Sequence, residues 1–153
     1  MPDGKIYREG KRTDLDAIVA MQLSMARETE DWALDPETLR KGVEAVFENR
    51  TLGAYHVCEI DGQVAACTLL TSEWSDWRNG VIFWIQSVYV LPRFRRKGVY
   101  RGLHEWFRSL ALNTPSVKGL RLYVEKKNES AQATYRKMGM SDEHYTLFEW
   151  MKP

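Results

Sequence analysis

Apolar positions along the chain follow two different periods. Segments that alternate, or that are apolar at nearly every position, predict strands, and segments with apolar residues three and four apart predict amphipathic helices. The predicted strands cover residues 5–8, 54–60, 63–71, 81–91, 120–125 and 145–151. The predicted helices run from 13 or 14 to about 27, from 35 to beyond 47, from 99 to 113 and from 128 to 139. This order of elements implies a mixed sheet with helices on both faces.

The fourth predicted strand, residues 81–91, is apolar at almost every position, which is typical of a central strand covered on both faces. Gln86 and Ser87 interrupt it, and a buried Gln86 needs hydrogen-bond partners. This strand is therefore predicted to lie inside the sheet, with both of its faces covered.

The two cysteines lie on opposite arms of a hairpin that turns at Asp61-Gly62. A two-residue turn places Cys67 opposite His56 and away from Cys58, so no disulfide between the two cysteines is expected. Both thiols are interpreted as small, half-buried strand residues.

Composition limits the class of protein. The 153 residues predict one domain over residues 1–153, and 44% hydrophobic with 28% charged residues is typical of a soluble globular chain. The net charge of +1 gives no reason to expect a nucleic-acid partner. The amino terminus lacks a secretory signal and no segment has the length of a membrane span, so a cytoplasmic location is expected.

A basic turn joins the fourth strand to the helix at residues 99–113. Unpaired N–H groups in the first turn of a helix attract anions, and a glycine such as Gly98 lets an anion approach the backbone. Four cations crowd the same turn: Arg93, Arg95, Arg96 and Lys97. The pattern indicates a pyrophosphate-bearing ligand, and the alternative is an ordinary strand-to-helix turn with a solvated basic edge.

A second motif follows the fifth predicted strand, with Asn128, Ala131, Tyr135, Lys137 and Gly139 at set intervals. Together with the basic turn, it resembles the GNAT superfamily of acetyl-coenzyme A-dependent N-acetyltransferases over nearly the whole chain. The resemblance implies a mixed, mostly antiparallel α/β sheet with helices on both faces and a split between strands four and five.

The family's first motif is Arg or Gln, two residues, Gly, one residue, then Gly or Ala. Arg95 and Gly98 match it, whereas Tyr100 stands at the small-residue position and departs from the pattern. The backbone donors of residues 96–100 do not depend on that side chain.

The resemblance also implies the residues that contact acetyl-CoA. The backbone of Val88 and Val90 would bind the pantetheine arm as an added strand does. The full set comprises Val88, Tyr89, Val90, Arg95, Arg96, Lys97, Gly98, Val99, Tyr100, Asn128, Ala131 and Tyr135. The residues also have ordinary structural interpretations that do not depend on the resemblance: Asn128 is a good helix N-cap, and Tyr135 could be a core aromatic.

Acetyl transfer from a thioester to an amine needs a proton acceptor, a donor to the oxyanion and a proton donor. An alkyl ammonium must lose a proton before it attacks a thioester, the oxyanion needs a donor, and the thiolate leaves as a thiol. A strand-four N–H, of Val88 or Tyr89, is the predicted oxyanion donor if a bulge leaves it unpaired. Tyr135 is the predicted general acid.

The general base is the least defined of these groups. Gln86 occupies a position where similar proteins often carry glutamate, and glutamine cannot accept a proton at neutral pH. Glu28 is the first choice, because the loop after the first helix forms a wall of the acceptor site in similar enzymes. The alternatives left open are Glu30, Asp31, Glu73, Asp76, Glu125 and His56.

The predicted acceptor contacts are Glu28, Glu30, Trp77 and Gln86, with Trp74 and Trp84 as further aromatic candidates. Carboxylates and tryptophan rings both attract cationic amines. A narrower likeness to polyamine or diamine acetyltransferases suggests a small amine, and a peptide amine is the variant. No metal is expected, and a homodimer is left open.

Two other functions are considered. The departures at Gln86 and Tyr100 raise the alternative of a non-catalytic acyl-CoA sensor or interaction module. A nucleic-acid-binding domain built on the basic turn would bind oligonucleotides in a salt-sensitive way.

Overall fold

Within residues 3–153, which the computed structural model describes, five strands form one sheet. They are β1 (Lys5–Glu9), β2 (Ala54–Ile60), β3 (Gln63–Ser75), β4 (Gly80–Val90) and β5 (Val117–Arg121). The sheet has the order β1-β2-β3-β4-β5, and the first three pairings are antiparallel. β5 pairs in parallel with residues 81–84 of β4, so the two strands separate beyond Trp84. The predicted mixed sheet with a split between strands four and five is confirmed.

Over the same described stretch there are four α-helices: α1 (Leu15–Glu30), α2 (Pro36–Glu48), α3 (Val99–Asn113) and α4 (Glu129–Lys137). Short 3₁₀ helices occupy Arg12–Asp14 and Pro92–Phe94. The local signals in the sequence set several boundaries. Asp35 caps the start of α2: its side chain accepts a hydrogen bond from the Thr38 N–H, and Pro36 is the first helical residue. Gly98 adopts a left-handed φ of 76° just before α3.

Helices cover both faces of the sheet. Val57 of β2 packs in the core cluster with Ile18 of α1 and Val43 of α2, all fully or almost fully buried. The adjacent residue His56 makes an edge-on ring contact with Phe107 of α3 (5.2 Å between centroids). Because successive strand residues point to opposite faces, α1 and α2 lie on one side and α3 on the other. β4 is an interior strand of this sheet, paired with β3 on one side and β5 on the other, and none of its residues is exposed.

The chain divides into two units, the first ending at Arg121 and the second comprising Leu122–Pro153. The second unit contains α4 and no strand, all of its residues being described. The predicted strand at 145–151 is therefore wrong, and these side chains are exposed. An alternating pattern becomes a strand only when another strand pairs with it, and its own unit supplies none.

Two further predictions need correction. The fifth strand begins at Val117, before the predicted residue 120, because the parallel register with β4 selects its residues. A register shift between Cys58 and Glu59 places Cys67 opposite Val57 and not His56. Both cysteines are free, as expected, but they are fully buried and not half-buried as predicted.

Candidate active site

A bulge interrupts β4 at the two residues that follow Gln86. Gln86 pairs with Leu69 and Tyr89 with Cys67, so Ser87 and Val88 together face the single residue Thr68. Ser87 has a φ of 55°, which is uncommon for a residue other than glycine. The Thr68 hydroxyl donates to the Gln86 carbonyl (2.9 Å), and the Gln22 amide donates to that of Ser87 (2.8 Å). The bulge that the oxyanion prediction required is thus built into β4.

The basic turn, residues 92–98, leads from this strand into α3. Arg96 and Gly98 both adopt left-handed backbone conformations, with φ of 63° and 76°. Such alternation turns successive N–H groups toward one side, as in anion-binding backbone nests. A Cβ added at Gly98 would meet nothing within 4 Å, so open space lies over the start of α3.

The cations of this turn are exposed and differ in their partners. Arg93 and Lys97 lie over the Phe94 ring, with 4.9 and 5.9 Å to its centroid. Arg95 turns back toward the body of the first unit, where its Nε donates to the Val90 carbonyl (2.8 Å). The residue of the family motif is therefore already hydrogen-bonded within the chain.

Glu28 lies in the last turn of α1, which continues to Glu30, so its predicted place in the loop after this helix is wrong. Its carboxylate accepts two hydrogen bonds. Arg95 Nη2 donates to Oε2 (2.9 Å), and the Tyr89 hydroxyl donates to Oε1 (2.8 Å). The hydrogen bond from Arg95, followed by that from Tyr89, lowers the pKa of Glu28. Burial raises the pKa of Tyr89, and the hydrogen bond to the Glu28 carboxylate raises it further. Glu28 is thus a weaker proton acceptor here than an unpaired glutamate would be.

A polar network covers the sheet beyond the end of the apolar core. Glu73 accepts from Trp84 Nε1 (2.8 Å) and from Arg121 Nη1 (2.6 Å), which links β3, β4 and β5. The Gln86 amide donates to the Thr71 hydroxyl (2.5 Å). Leu69, Thr71 and Glu73 are spaced two residues apart on β3, so their side chains lie on the same face of the sheet. Leu69 packs against the α1–α2 core, and the network therefore lies on that face.

Sequence reasoning named Glu73 and Trp84 only as alternatives and missed Thr71 and Arg121. Arg121 enters through the parallel register, in which it stands beside Trp84. The register between two strands that a helix separates in the chain leaves no local signal. Thr71 and Glu73 did offer one, because polar residues two apart on a strand predict a polar face.

The second motif lies on α4 in the second unit. Asn128 is the N-cap of that helix, and its Oδ1 accepts from the Ala131 N–H (3.1 Å), which is the ordinary structural role considered for it. Tyr135 is half-buried, and Gly139 follows the helix with a φ of 88°. The local backbone therefore fixes Asn128 and Ala131 relative to each other.

The other predicted positions are spread over the surface of the first unit. Trp77 is 88% exposed at the turn between β3 and β4, and Glu30 is exposed at the end of α1. Tyr100, the departure from the motif, lies one helical turn from His104, with 6.3 Å between ring centroids. Val88 and Val90 are half-buried on either side of buried Tyr89.

Residues 3–153 contain neither a metal-binding cluster nor a helix that could span a membrane. Across residues 3–153, no group of three or more His, Cys, Asp and Glu side chains is arranged to hold a metal ion. In the same part of the chain, no helix combines the length and the apolar character of a membrane span.

Comparison with known proteins agrees with this geometry. The sequence profile of the acetyltransferase (GNAT) family matches residues 19–140. The chain belongs to the GNAT acetyltransferase family, and the resemblance drawn from the two motifs is confirmed. A sequence comparison with curated proteins gave no match.

Solved structures share the fold. A possible acetyltransferase from Clostridium difficile 630 is 40% identical, with a TM-score of 0.91 over 97% of this chain and 98% of that chain. The complex of AAC(6')-Iy with the bisubstrate analogue CoA-S-monomethyl-acetylneamine is 14% identical (TM-score 0.78, 97% and 99% covered). A ribosomal-protein-alanine N-acetyltransferase from Brucella melitensis biovar Abortus 2308 is 13% identical (TM-score 0.78, 97% and 99% covered). At such low identities the last two show the fold alone.

Proposed function

We propose that this protein is an N-acetyltransferase that moves the acetyl group of acetyl-CoA directly to a primary amine. The observation that carries the proposal is the bulged β4 running into a glycine-bearing basic turn, in a chain that belongs to the GNAT family. AAC(6')-Iy, which shares the fold, has been solved in complex with CoA.

The basic turn fits a pyrophosphate. Its left-handed residues Arg96 and Gly98 direct backbone donors outward, the space over Gly98 is open, and exposed cations surround it. Bound there, acetyl-CoA supplies an activated thioester carbonyl. The chain would hold it through the backbone of residues 96–100 and, by family resemblance, through Val88, Val90, Asn128 and Ala131.

The reaction requires the amine to attack the thioester carbonyl carbon, so that a C–N bond forms and the C–S bond breaks. The N–H of Val88 or Tyr89, next to the bulge, is the proposed donor to the developing oxyanion. The resemblance assigns Tyr135 as the general acid that gives the departing thiolate a proton. The amine proton goes to Glu28 or to water connected to it.

The proposed acceptor is a primary amine, of a small polyamine-like molecule or of a peptide. The end of α1 carries the carboxylates that would attract it, Glu28 and Glu30, and the Glu73 network lies on the same face of the sheet as α1. The proposed location is the cytoplasm, and a homodimer stays an open alternative to a monomer.

The test is thiol release from acetyl-CoA by the purified protein, measured with pooled polyamines, amino acids, aminoglycosides and short peptides. A blank without amine corrects for hydrolysis. We expect release above the blank in at least one pool, and the active pool gives the acceptor class. Absence of both turnover and CoA binding would contradict the proposal.

A second candidate is a non-catalytic acyl-CoA sensor. It is favoured by one observation, the Gln86 amide held by Thr71 at a position where similar proteins often carry a proton-accepting glutamate. This candidate predicts CoA binding that no amine pool converts into turnover.

A further inference from the structure

Arg95 of the basic turn makes three contacts within the chain. Its Nε donates to the Val90 carbonyl (2.8 Å), Nη2 donates to Glu28 (2.9 Å), and the guanidinium lies over the Tyr89 ring, 5.2 Å from the centroid. The Arg95 and Glu28 side chains are 44% and 41% exposed. The same guanidinium therefore joins the basic turn to the end of α1.

The partners of Arg95 belong to the two different substrate sites of the proposed function. The Val90 carbonyl is one that the resemblance assigns to the pantetheine arm, and Glu28 is the proposed amine-binding carboxylate. As long as Arg95 holds both, it competes with the pantetheine for the carbonyl and with the ammonium for the carboxylate.

A pyrophosphate is the stronger partner for this guanidinium. An exposed ion pair with one carboxylate is weak, because water screens it and both side chains lose freedom. A pyrophosphate brings more than one negative charge and accepts parallel hydrogen bonds from an arginine fork. Arg95 and the two residues that follow it, Arg96 and Lys97, are exposed, so Arg95 can turn outward without disturbing the core.

We propose that Arg95 changes partner when acetyl-CoA binds, leaving Glu28 for the pyrophosphate, and that Glu28 becomes able to hold the acceptor amine only then. This inference rests on the proposed function. Cofactor binding and acceptor binding would consequently favour each other, because each removes a competitor of the other. Each substrate would therefore bind more weakly to the free protein than to the complex with the other substrate.

Binding of CoA to the full chain, measured by calorimetry, tests the exchange. We expect Glu28→Gln to bind CoA about threefold more tightly than the wild type, since it frees Arg95 from an exposed ion pair. Arg95→Gln should bind CoA about tenfold more weakly, through loss of a charged hydrogen-bond donor to the pyrophosphate. The double variant should bind as Arg95→Gln does.

The matched control is Glu37→Gln on α2, which removes one carboxylate from an exposed ion pair with Lys41. It changes the net charge as Glu28→Gln does and should leave CoA affinity unchanged. General repulsion between Glu28 and the phosphates would instead tighten CoA binding equally with and without Arg95, and that result would overturn the exchange.

Two other outcomes have separate meanings. Unchanged or weaker CoA binding by Glu28→Gln, with normal binding by the wild type, would overturn the exchange and leave the proposed function standing. Failure of the wild type to bind CoA would overturn the proposed function and the exchange with it.

Discussion

The indole N–H of Trp106, on α3, donates a hydrogen bond to Nδ1 of His56, on β2 (3.1 Å). Because Nδ1 accepts this hydrogen bond, it keeps its lone pair, and the ring is neutral. Burial of His56 also disfavours the charged form. Burial lowers the pKa of His56 from 6.5 to about 4. The contact connects α3, the helix that begins at the basic turn, to the sheet.

This relationship predicts a loss of stability in acid. Between pH 6.5 and about 4 the unfolded chain binds a proton at His56 and the folded chain does not, so the free energy of unfolding falls as the pH falls through this range. The loss from this residue is on the order of 3 kcal/mol, and it ends below pH 4, where both states are protonated.

His56→Asn isolates that contribution, because its side-chain oxygen can accept the same indole hydrogen bond without titrating. Urea unfolding measured from pH 7 to pH 4 should show a smaller loss for this variant than for the wild type. Equal slopes in the two proteins would contradict a neutral, buried His56.

Gly102 on α3 is expected to tolerate no larger residue. A Cβ there would overlap the hydroxyl and Cζ of Tyr7, whose hydroxyl donates to the Val99 carbonyl (3.3 Å). Gly102→Ala should therefore destabilise the protein by about 1–3 kcal/mol in thermal unfolding.

Gly42→Ala is the control for helix propensity, since a Cβ at Gly42 on α2 meets nothing within 4 Å. It should stabilise the protein by up to about 1 kcal/mol. Tyr7→Ala should make the additional Gly102→Ala change much less costly; the same cost in both backgrounds would show that Tyr7 is not the obstacle.

Gly98→Glu is expected to weaken CoA binding by at least tenfold. The carboxylate would stand in the open space over the start of α3 and repel the pyrophosphate. Gly62→Glu is the control, because Gly62 has the same φ of 76°, and a Cβ there also meets nothing within 4 Å. Affinity retained by Gly98→Glu would mean that the pyrophosphate binds elsewhere.

Tyr135→Phe is expected to lower the turnover number at saturating acetyl-CoA by about 100-fold or more, because a positioned general acid contributes roughly 10²- to 10⁴-fold. CoA affinity, measured separately by calorimetry, should stay within about twofold, since the ring is kept. Turnover equal to that of the wild type would remove Tyr135 as the general acid.

Much of the fold could be predicted from local sequence. The hairpin at Asp61-Gly62, the boundaries of α3 and the start of α2 all follow from short-range turn and cap chemistry. The basic turn and the Asn128 motif were enough to identify the family. These features depend on residues within a few positions of one another, so a linear pattern contains them.

The tertiary structure decided what depends on distant pairing. It placed the bulge at Ser87, where side chains from α1 and β3 hold two β4 carbonyls, and it brought Arg121 to Glu73 through the parallel register. It also joined Glu28 to Arg95, which are 67 residues apart. No local pattern encodes such contacts, because each depends on how separate elements pack. The sequence by itself thus determined the family and most of the elements, and the packing decided which segments pair as strands and which charged groups meet.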